Sequence, residues 1–236
     1  MEDLSVILSK RMDNQDSHKI FHNSNLAMTS IGTPLEVFWS EKSSKERFLW
    51  IGGVHGDEPE GVELAQQLLA WLQKNNDQVQ SSWSLIPCLN VDGYRKNQRT
   101  NERGVDLNRN FPTPDWSPEF QKPRYYPGPS AGSEIETQAL VQWIEKFQPT
   151  CIVHFHSWQP CVVYTGATGK HYAEILGDQK YIAREDIGYP TPGSLGQYGW
   201  FVHEIPVICI EEQEHEPLEN VWPHFRDGLI HILTQK

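Results

Sequence analysis

The 236-residue chain contains no apolar run near the roughly 20 residues that a membrane helix requires. It is also poor in positive charge. Lys and Arg total 20 against 31 Asp and Glu, a formal net charge of −11, and so acidic a surface lacks the field that draws nucleic acid or anionic membrane. Neither partner class is expected. The start, Met1-Glu2-Asp3-Leu4-Ser5-Val6-Ile7-Leu8, places acids ahead of its apolar patch, the reverse of a signal peptide, so a cytoplasmic protein is expected. Cysteine is scarce, with four residues and no C-x-x-C spacing. Cys88, Cys151 and Cys209 sit in or beside apolar runs, which favours free buried thiols over disulfides, Cys161 included. There is no internal repeat or low-complexity tract, and the stretch 112–133, rich in Pro, Gly, Ser and aromatics, reads as a surface excursion. A chain of this length can close one core, so residues 1–236 are expected to form a single catalytic domain.

What is present is an alternation of two patterns. Apolar, β-branched and aromatic runs at 35–40, 47–53, 83–89, 151–155, 161–165 and 206–210 read as strands buried on both faces. Between them, helical patterns cover 58–73, with apolar Val62, Ala65, Leu68, Leu69 and Leu72; 134–147, opened by a capping box Ser133-x-x-Glu136; and 222–233. The expected fold class is α/β: one domain with a mixed, mostly parallel twisted sheet and helices on both faces. Ligands of such sheets bind beyond the carboxyl ends of the strands. His55, the pair Asn90 and Asp92, His156 and Glu211 each follow one of the runs, so four strand ends are expected to converge on one site.

The chemistry is carried by three motifs. Gly52-Gly53-Val54-His55-Gly56-Asp57-Glu58 leaves a strand through glycines into a helix. Imidazole nitrogen and carboxylate oxygen three residues apart at such a turn can reach one Zn²⁺. Acids at a helix start also suit the dipole, which accounts for Asp57 and Glu58 but not for the histidine. In Val153-His154-Phe155-His156-Ser157 the two histidines share a face by period two; His156, nearer the rim, is the better metal ligand, and His154 reads as a packed or supporting histidine. Two His and one Glu leave a fourth position open for water, the pattern of a catalytic zinc site. The second motif runs from Arg99 to Phe111. Arg95, Lys96, Arg99, Arg103 and Arg109 gather a quarter of the chain's basic residues into fifteen positions, which suggests recognition of a small anionic group. Asp106 there can orient His55 by accepting its second ring N–H. In the third motif, Ile205-Pro206-Val207-Ile208-Cys209-Ile210-Glu211-Glu212, a carboxylate ending a buried strand makes Glu211 a candidate general base, with Glu212 on the other face in a solvated acidic cluster.

Taken in chain order, His55-x-x-Glu58, Asp106-x-Asn108-Arg109-Asn110, Phe155-His156-Ser157 and Glu211 resemble the zinc carboxypeptidase family over about residues 47–212. Within that family, Gly104-Val105-Asp106-Leu107-Asn108-Arg109-Asn110-Phe111-Pro112, Gly132-Ser133-Glu134-x-Glu136-Thr137-Gln138-Ala139-Leu140 and Thr191-Pro192-Gly193-Ser194 are similar to the small bacterial murein peptide amidases. Those enzymes cut the bond between γ-D-glutamate and meso-diaminopimelate in cell-wall peptides. The segment Ser157-Trp158-Gln159-Pro160 is closer to general carboxypeptidases.

The resemblance implies one Zn²⁺ per chain held by His55, Glu58 and His156, and Arg99 polarising the scissile carbonyl. It also implies Asn108 and Arg109 gripping the substrate's terminal carboxylate, and Glu211 as the catalytic base. Tyr189 lies near the place of the family's mobile tyrosine, one residue off in its spacing to Gly193-Ser194, and uncharged Leu195 lies where a pocket floor is expected. The implied substrate is a small peptide, murein tripeptide in the subgroup's case, acted on by a monomer or homodimer. Two other readings use the same residues: a deacylase of N-acyl amino acids, and a zinc-binding pseudoenzyme that captures carboxylate-terminated peptides.

Overall fold

The computed structural model describes residues 19–235; the acidic start and its apolar patch lie outside the described residues. In chain order the elements are β1 (Phe21–Met28), β2 (Pro34–Ser40), β3 (Arg47–Ile51), α1 (Pro59–Asn75), β4 (Ser82–Ile86), α2 (Val91–Lys96), α3 (Ile135–Phe147), β5 (Cys151–Trp158), β6 (Cys161–Thr165), α4 (Lys170–Leu176), β7 (Ile182–Arg184), β8 (Val207–Gln213) and α5 (Leu218–Thr234). A short helical segment over 195–202 precedes β8. The strands form one mixed sheet in the order β1-β2-β4-β3-β5-β8-β6-β7. Its centre, β4-β3-β5-β8, is parallel, and antiparallel pairs join β1, β2 and β6 to it. The expected α/β architecture is the observed one. No helix of the described residues is long and apolar enough to cross a membrane.

Period-two alternation divides each central strand between two cores. Phe48, Trp50, Val153, Phe155, Ile208 and Ile210 face α1, α4 and α5, where Leu64, Leu68, Leu72, Leu176, Phe225 and Leu229 meet them. Leu49, Ile51, Ile152 and Val207 face α3 and its Leu140, Trp143, Ile144 and Phe147. Parity then carries His154 and His156 of β5, with Cys209 and Glu211 of β8, onto the α3 side. The strands outlast their apolar runs, because β5 and β8 stay paired through His156↔Glu211 and Ser157↔Glu212. His156 and Glu211 are therefore rungs of a ladder, not residues beyond its end.

Other expectations change in detail. The capping box does not form: α3 is capped at Glu134, while Ser133 accepts from Asn110 Nδ2 and donates to Glu134. Helix α5 starts four residues early and carries Pro223 within it, at the loss of a ladder bond that the sequence pattern avoided. All four cysteines are free, as expected, and Cys151 and Cys161 are buried.

Helix α1 lies directly on β5. A Cβ at Gly61 would stand 2.4 Å from the Phe155 carbonyl oxygen, a backbone atom that cannot step aside cheaply. Gly61→Ala is therefore expected to destabilise the fold by about 1–3 kcal/mol, as overpacking does. Thermal unfolding followed by circular dichroism checks this; an unchanged midpoint would contradict so close an approach.

Candidate active site

The turn after β3 makes the first part of the site. Gly53 takes φ +59, a left-handed conformation that favours glycine. A Cβ on Gly56 would collide with the Gly93 carbonyl carbon at 2.1 Å, so the turn packs against α2. Pro59 opens α1 at its first position, where its missing N–H costs nothing, and Glu58 occupies the cap without using its side chain to cap. That side chain turns instead to the histidines. Glu58 Oε1 is 2.7 Å from His55 Nδ1, Glu58 Oε2 is 2.7 Å from His156 Nδ1, and the two Nδ1 atoms are 3.0 Å apart. His55, Glu58 and His156 are all buried, with one donor atom from each lying within 4.8 Å of the others.

Around this triad the remaining groups are tied in. His55 Nε2 meets Asp106 Oδ1 at 3.1 Å, and Arg99 spans Asp106 Oδ2 at 2.9 Å and Glu58 Oε1 at 3.2 Å. Asn108 accepts the Leu195 N–H on its side-chain oxygen at 2.9 Å, which leaves its amide N–H₂ to offer to the cavity. Arg109 donates to the Asn108 carbonyl at 2.7 Å. One cavity of about 270 Å³ is lined by His55, Glu58, His156, Arg99, Asn108, Arg109, Tyr189 and Glu211. The expected metal-holding, carboxylate-gripping and base residues all line it, whereas Asp106 is wholly buried and meets His55 from behind. Tyr189 stands at the rim, 46% exposed, with its ring edge-on to Trp158.

The electrostatics follow from burying many charges together. Burial opposes ionisation of Glu58, but His55 and His156 hold its carboxyl well below the usual range. Asp106 is likewise held low against burial by Arg99 and His55. Burial and Arg99 oppose the proton on His55, yet Glu58 and Asp106 raise it above its ordinary value. Burial keeps His156 below that value despite Glu58, and burial with the two neighbouring imidazoles keeps His154 well below it. Glu211 behaves oppositely to Glu58: burial, then the Glu58 charge, push it up to about 8.

Several expectations are corrected. Asn90 and Asp92 do not reach the cavity: Asn90 caps α2 and donates to the Arg99 carbonyl, and Asp92 accepts from Thr33, so three strand ends converge, not four. Leu195 is fully buried in the α3-side core; the neutral wall is built by Val163, Thr165, Gly196, Val207 and Cys209 instead. Glu212 is 1% exposed, not solvated, and is bound on the opposite face by Tyr181 and by His224 at 2.7 Å. Tyr125 and Arg124 were not anticipated. They come from the 112–133 excursion, and the Tyr125 ring lies beneath the guanidinium groups of Arg99, Arg109 and Arg124 at 5.3, 6.0 and 5.7 Å. The aromatic–basic pair Arg124-Tyr125 beside the cationic 95–109 stretch was the available signal.

The donor set suits zinc. A tetrahedral Zn²⁺ with bonds of about 2.0–2.1 Å spaces its donors roughly 3.3 Å apart, a few tenths of an ångström beyond the present contacts. Two lone pairs and a carboxylate facing one point are stabilised by a cation there.

A family model for zinc carboxypeptidases matches residues 8–189. The chain belongs to the zinc carboxypeptidase family. Within this family, murein peptide amidase A of Escherichia coli (strain K12) is 33% identical over 184 residues, 71% of this chain and 72% of that protein. The crystal structure of murein-tripeptide amidase MpaA from Escherichia coli O157 covers 95% of this chain and 97% of its own, with a TM-score of 0.74 and 24% identity. Bovine thrombin-activatable fibrinolysis inhibitor, in complex with tick carboxypeptidase inhibitor, has the same fold at TM-score 0.76 and 16% identity, covering 91% of this chain and 88% of that one. As a zinc carboxypeptidase family member, the chain is a hydrolase.

Asp106→Asn keeps the shape of the side chain but removes the charge that His55 and Arg99 share. Zinc affinity, read by chelator competition, is expected to fall roughly 10–100-fold. Unchanged affinity would separate Asp106 from the metal site.

Proposed function

We propose that the protein is a zinc-dependent amidase, acting as one catalytic domain, that cleaves an amide bond beside a free carboxylate. Its substrate in this reading is a murein peptide, cut between γ-D-glutamate and meso-diaminopimelate. The observation that carries the reading is the sharing of one cavity by the His55, Glu58 and His156 donors, Glu211 and the carboxylate-binding pair Asn108 and Arg109. The 33% identity to murein peptide amidase A over most of both chains supports the choice of substrate.

His55, Glu58 and His156 would hold one Zn²⁺. When bound, zinc supplies Lewis acidity, polarising a carbonyl and making water acidic enough to attack near neutral pH. Arg109 and the amide of Asn108 bind the terminal carboxylate of the residue to be released and set the scissile bond at attacking distance. Glu211 accepts the proton of the attacking water and returns it to the departing amine, so that no net proton is consumed by the enzyme. Arg99, held in place by Asp106 and Glu58, stabilises the negative charge that develops on the carbonyl oxygen. The Val163, Thr165, Gly196, Val207 and Cys209 wall surrounds the side chain of the released residue and brings it no formal charge. Tyr189 at the rim closes over bound substrate.

Incubation with murein tripeptide beside ordinary peptides, with mass detection of the released amino acid, tests the proposal. Diaminopimelate should appear, and a chelator should abolish its release; turnover of ordinary peptides alone would replace the murein reading with a general carboxypeptidase. Glu211→Gln should keep its zinc and lose about 10²–10⁴-fold in turnover, the range of a general base. Near-normal turnover would move the base elsewhere. Arg109→Ala should weaken substrates with a free terminal carboxylate selectively, and equal loss on blocked peptides would refute its role.

A further inference from the structure

We propose that His154 is a positioning residue for the metal site: its Nδ1 accepts the Nε2–H of His156 and so leaves the Nδ1 lone pair of His156 for a cation held with His55 and Glu58. The inference rests on the reading of His55, Glu58 and His156 as metal holders.

His154 Nδ1 and His156 Nε2 are 2.8 Å apart, the two rings standing perpendicular with centroids separated by 4.7 Å. Both residues are only 3% exposed, so water does not mediate the contact. Two imidazole nitrogens at this distance share a single proton, since two bare lone pairs repel and two N–H groups collide. The direction of sharing is set at the far side of His156. Its Nδ1 faces Glu58 Oε2 at 2.7 Å and His55 Nδ1 at 3.0 Å; without metal the carboxylate calls for a proton on that nitrogen, whereas a cation held by the three donors would call for its lone pair. A neutral imidazole carries one proton, and placing it on Nε2 is what leaves Nδ1 free to donate its lone pair. His154 must then be the acceptor, with its own proton on Nε2.

The two ligand histidines thus follow one plan with different partners. Each faces the centre through Nδ1, and each has its Nε2 met by an acceptor, Asp106 Oδ1 at 3.1 Å for His55 and His154 Nδ1 at 2.8 Å for His156. The difference has an electrostatic reason. A second carboxylate at position 154 would withdraw another negative charge from water beside Glu58 and Glu211, which is unfavourable without a cation of its own. A neutral imidazole orients His156 without adding charge. The strand supplies the geometry, since period two stacks 154 directly below 156 on the same face.

A competing use of the same atoms exists. Cys209 Sγ also gathers within 4.8 Å of donors on His154 and His156. A metal held there would make His154 a ligand, a use that competes with its role as acceptor for His156. The Cys209 thiol instead donates to Glu211 Oε1 at 3.3 Å.

The test compares zinc binding by wild type, His154→Phe and His154→Asn through chelator competition. Ring tautomers of the zinc-loaded wild type are read from long-range ¹H–¹⁵N correlations. His154→Phe keeps the ring and loses the acceptor, and is expected to bind one equivalent roughly 10–100-fold more weakly. His154→Asn, whose carbonyl oxygen replaces Nδ1, is expected to recover most of that loss, and His156 should carry its proton on Nε2. Equal affinity of His154→Phe and wild type would overturn the proposal. So would an asparagine variant no better than phenylalanine, or a His156 proton on Nδ1. A second zinc equivalent lost in Cys209→Ala would overturn it too, by making His154 a ligand in place of an acceptor. Failure of wild type to bind zinc at all would sink the ligand reading itself. If neither variant folds, the tautomer spectrum of wild type decides.

Discussion

Three carboxylates, Glu58, Asp106 and Glu211, are buried within one end of a single sheet, at 8%, 0% and 5% exposure. Charge of one sign withdrawn from water is tolerable only against opposite charge or protonation. Opposite charge answers two of them: Arg99 and the His55 imidazole answer Asp106, and His55 and His156 answer Glu58, while burial and the Glu58 charge push Glu211 up to about 8. A dication among the His55, Glu58 and His156 donors would complete this balance. The fold supports the arrangement by keeping β5 and β8 paired past their apolar segments, so that His156 and Glu211 are fixed as neighbours on rigid backbone.

The same parity that positions the acids separates two functions of the sheet end. On the α3 side, Val207, Cys209, Val163 and Thr165 form a neutral wall beside the charged centre, joined across the β6–β8 ladder. On the opposite side, Glu212 joins Tyr181 and His224, and Ser157 donates to Glu60 at 2.7 Å. Adjacent residues, Glu211 and Glu212, have unrelated surroundings because successive side chains of a strand face opposite ways. One faces the cavity, and the other anchors the strand to α5.

Much of this was legible in the sequence. The six apolar runs became β2, β3, β4, β5, β6 and β8, and the strand-end histidines and acids fell together because open α/β sheets gather ligands there. What escaped has physical causes. Strand β1 reads FHNSNLAM, with polar residues at several positions, because it is an edge strand paired on one side only. The three-residue β7 and the short α2 and α4 are too brief for periodicity to register. Asn90 and Asp92 follow a strand as His55 does, but Asn90 serves the turn that holds Arg99 and Asp92 accepts from Thr33. Tyr125 escaped because the Arg124-Tyr125 pair lies in a proline-rich surface excursion, whose sequence marks the pair but not the place where the loop folds back.

The claim on which the account depends is that two imidazoles and one carboxylate share a cation. Diffraction at the zinc absorption edge from crystals grown with zinc tests it most directly. The account predicts one anomalous peak about 2.0–2.2 Å from His55 Nδ1, His156 Nδ1 and a Glu58 oxygen. A structure in which those three atoms remain bonded to one another while zinc sits elsewhere would contradict it.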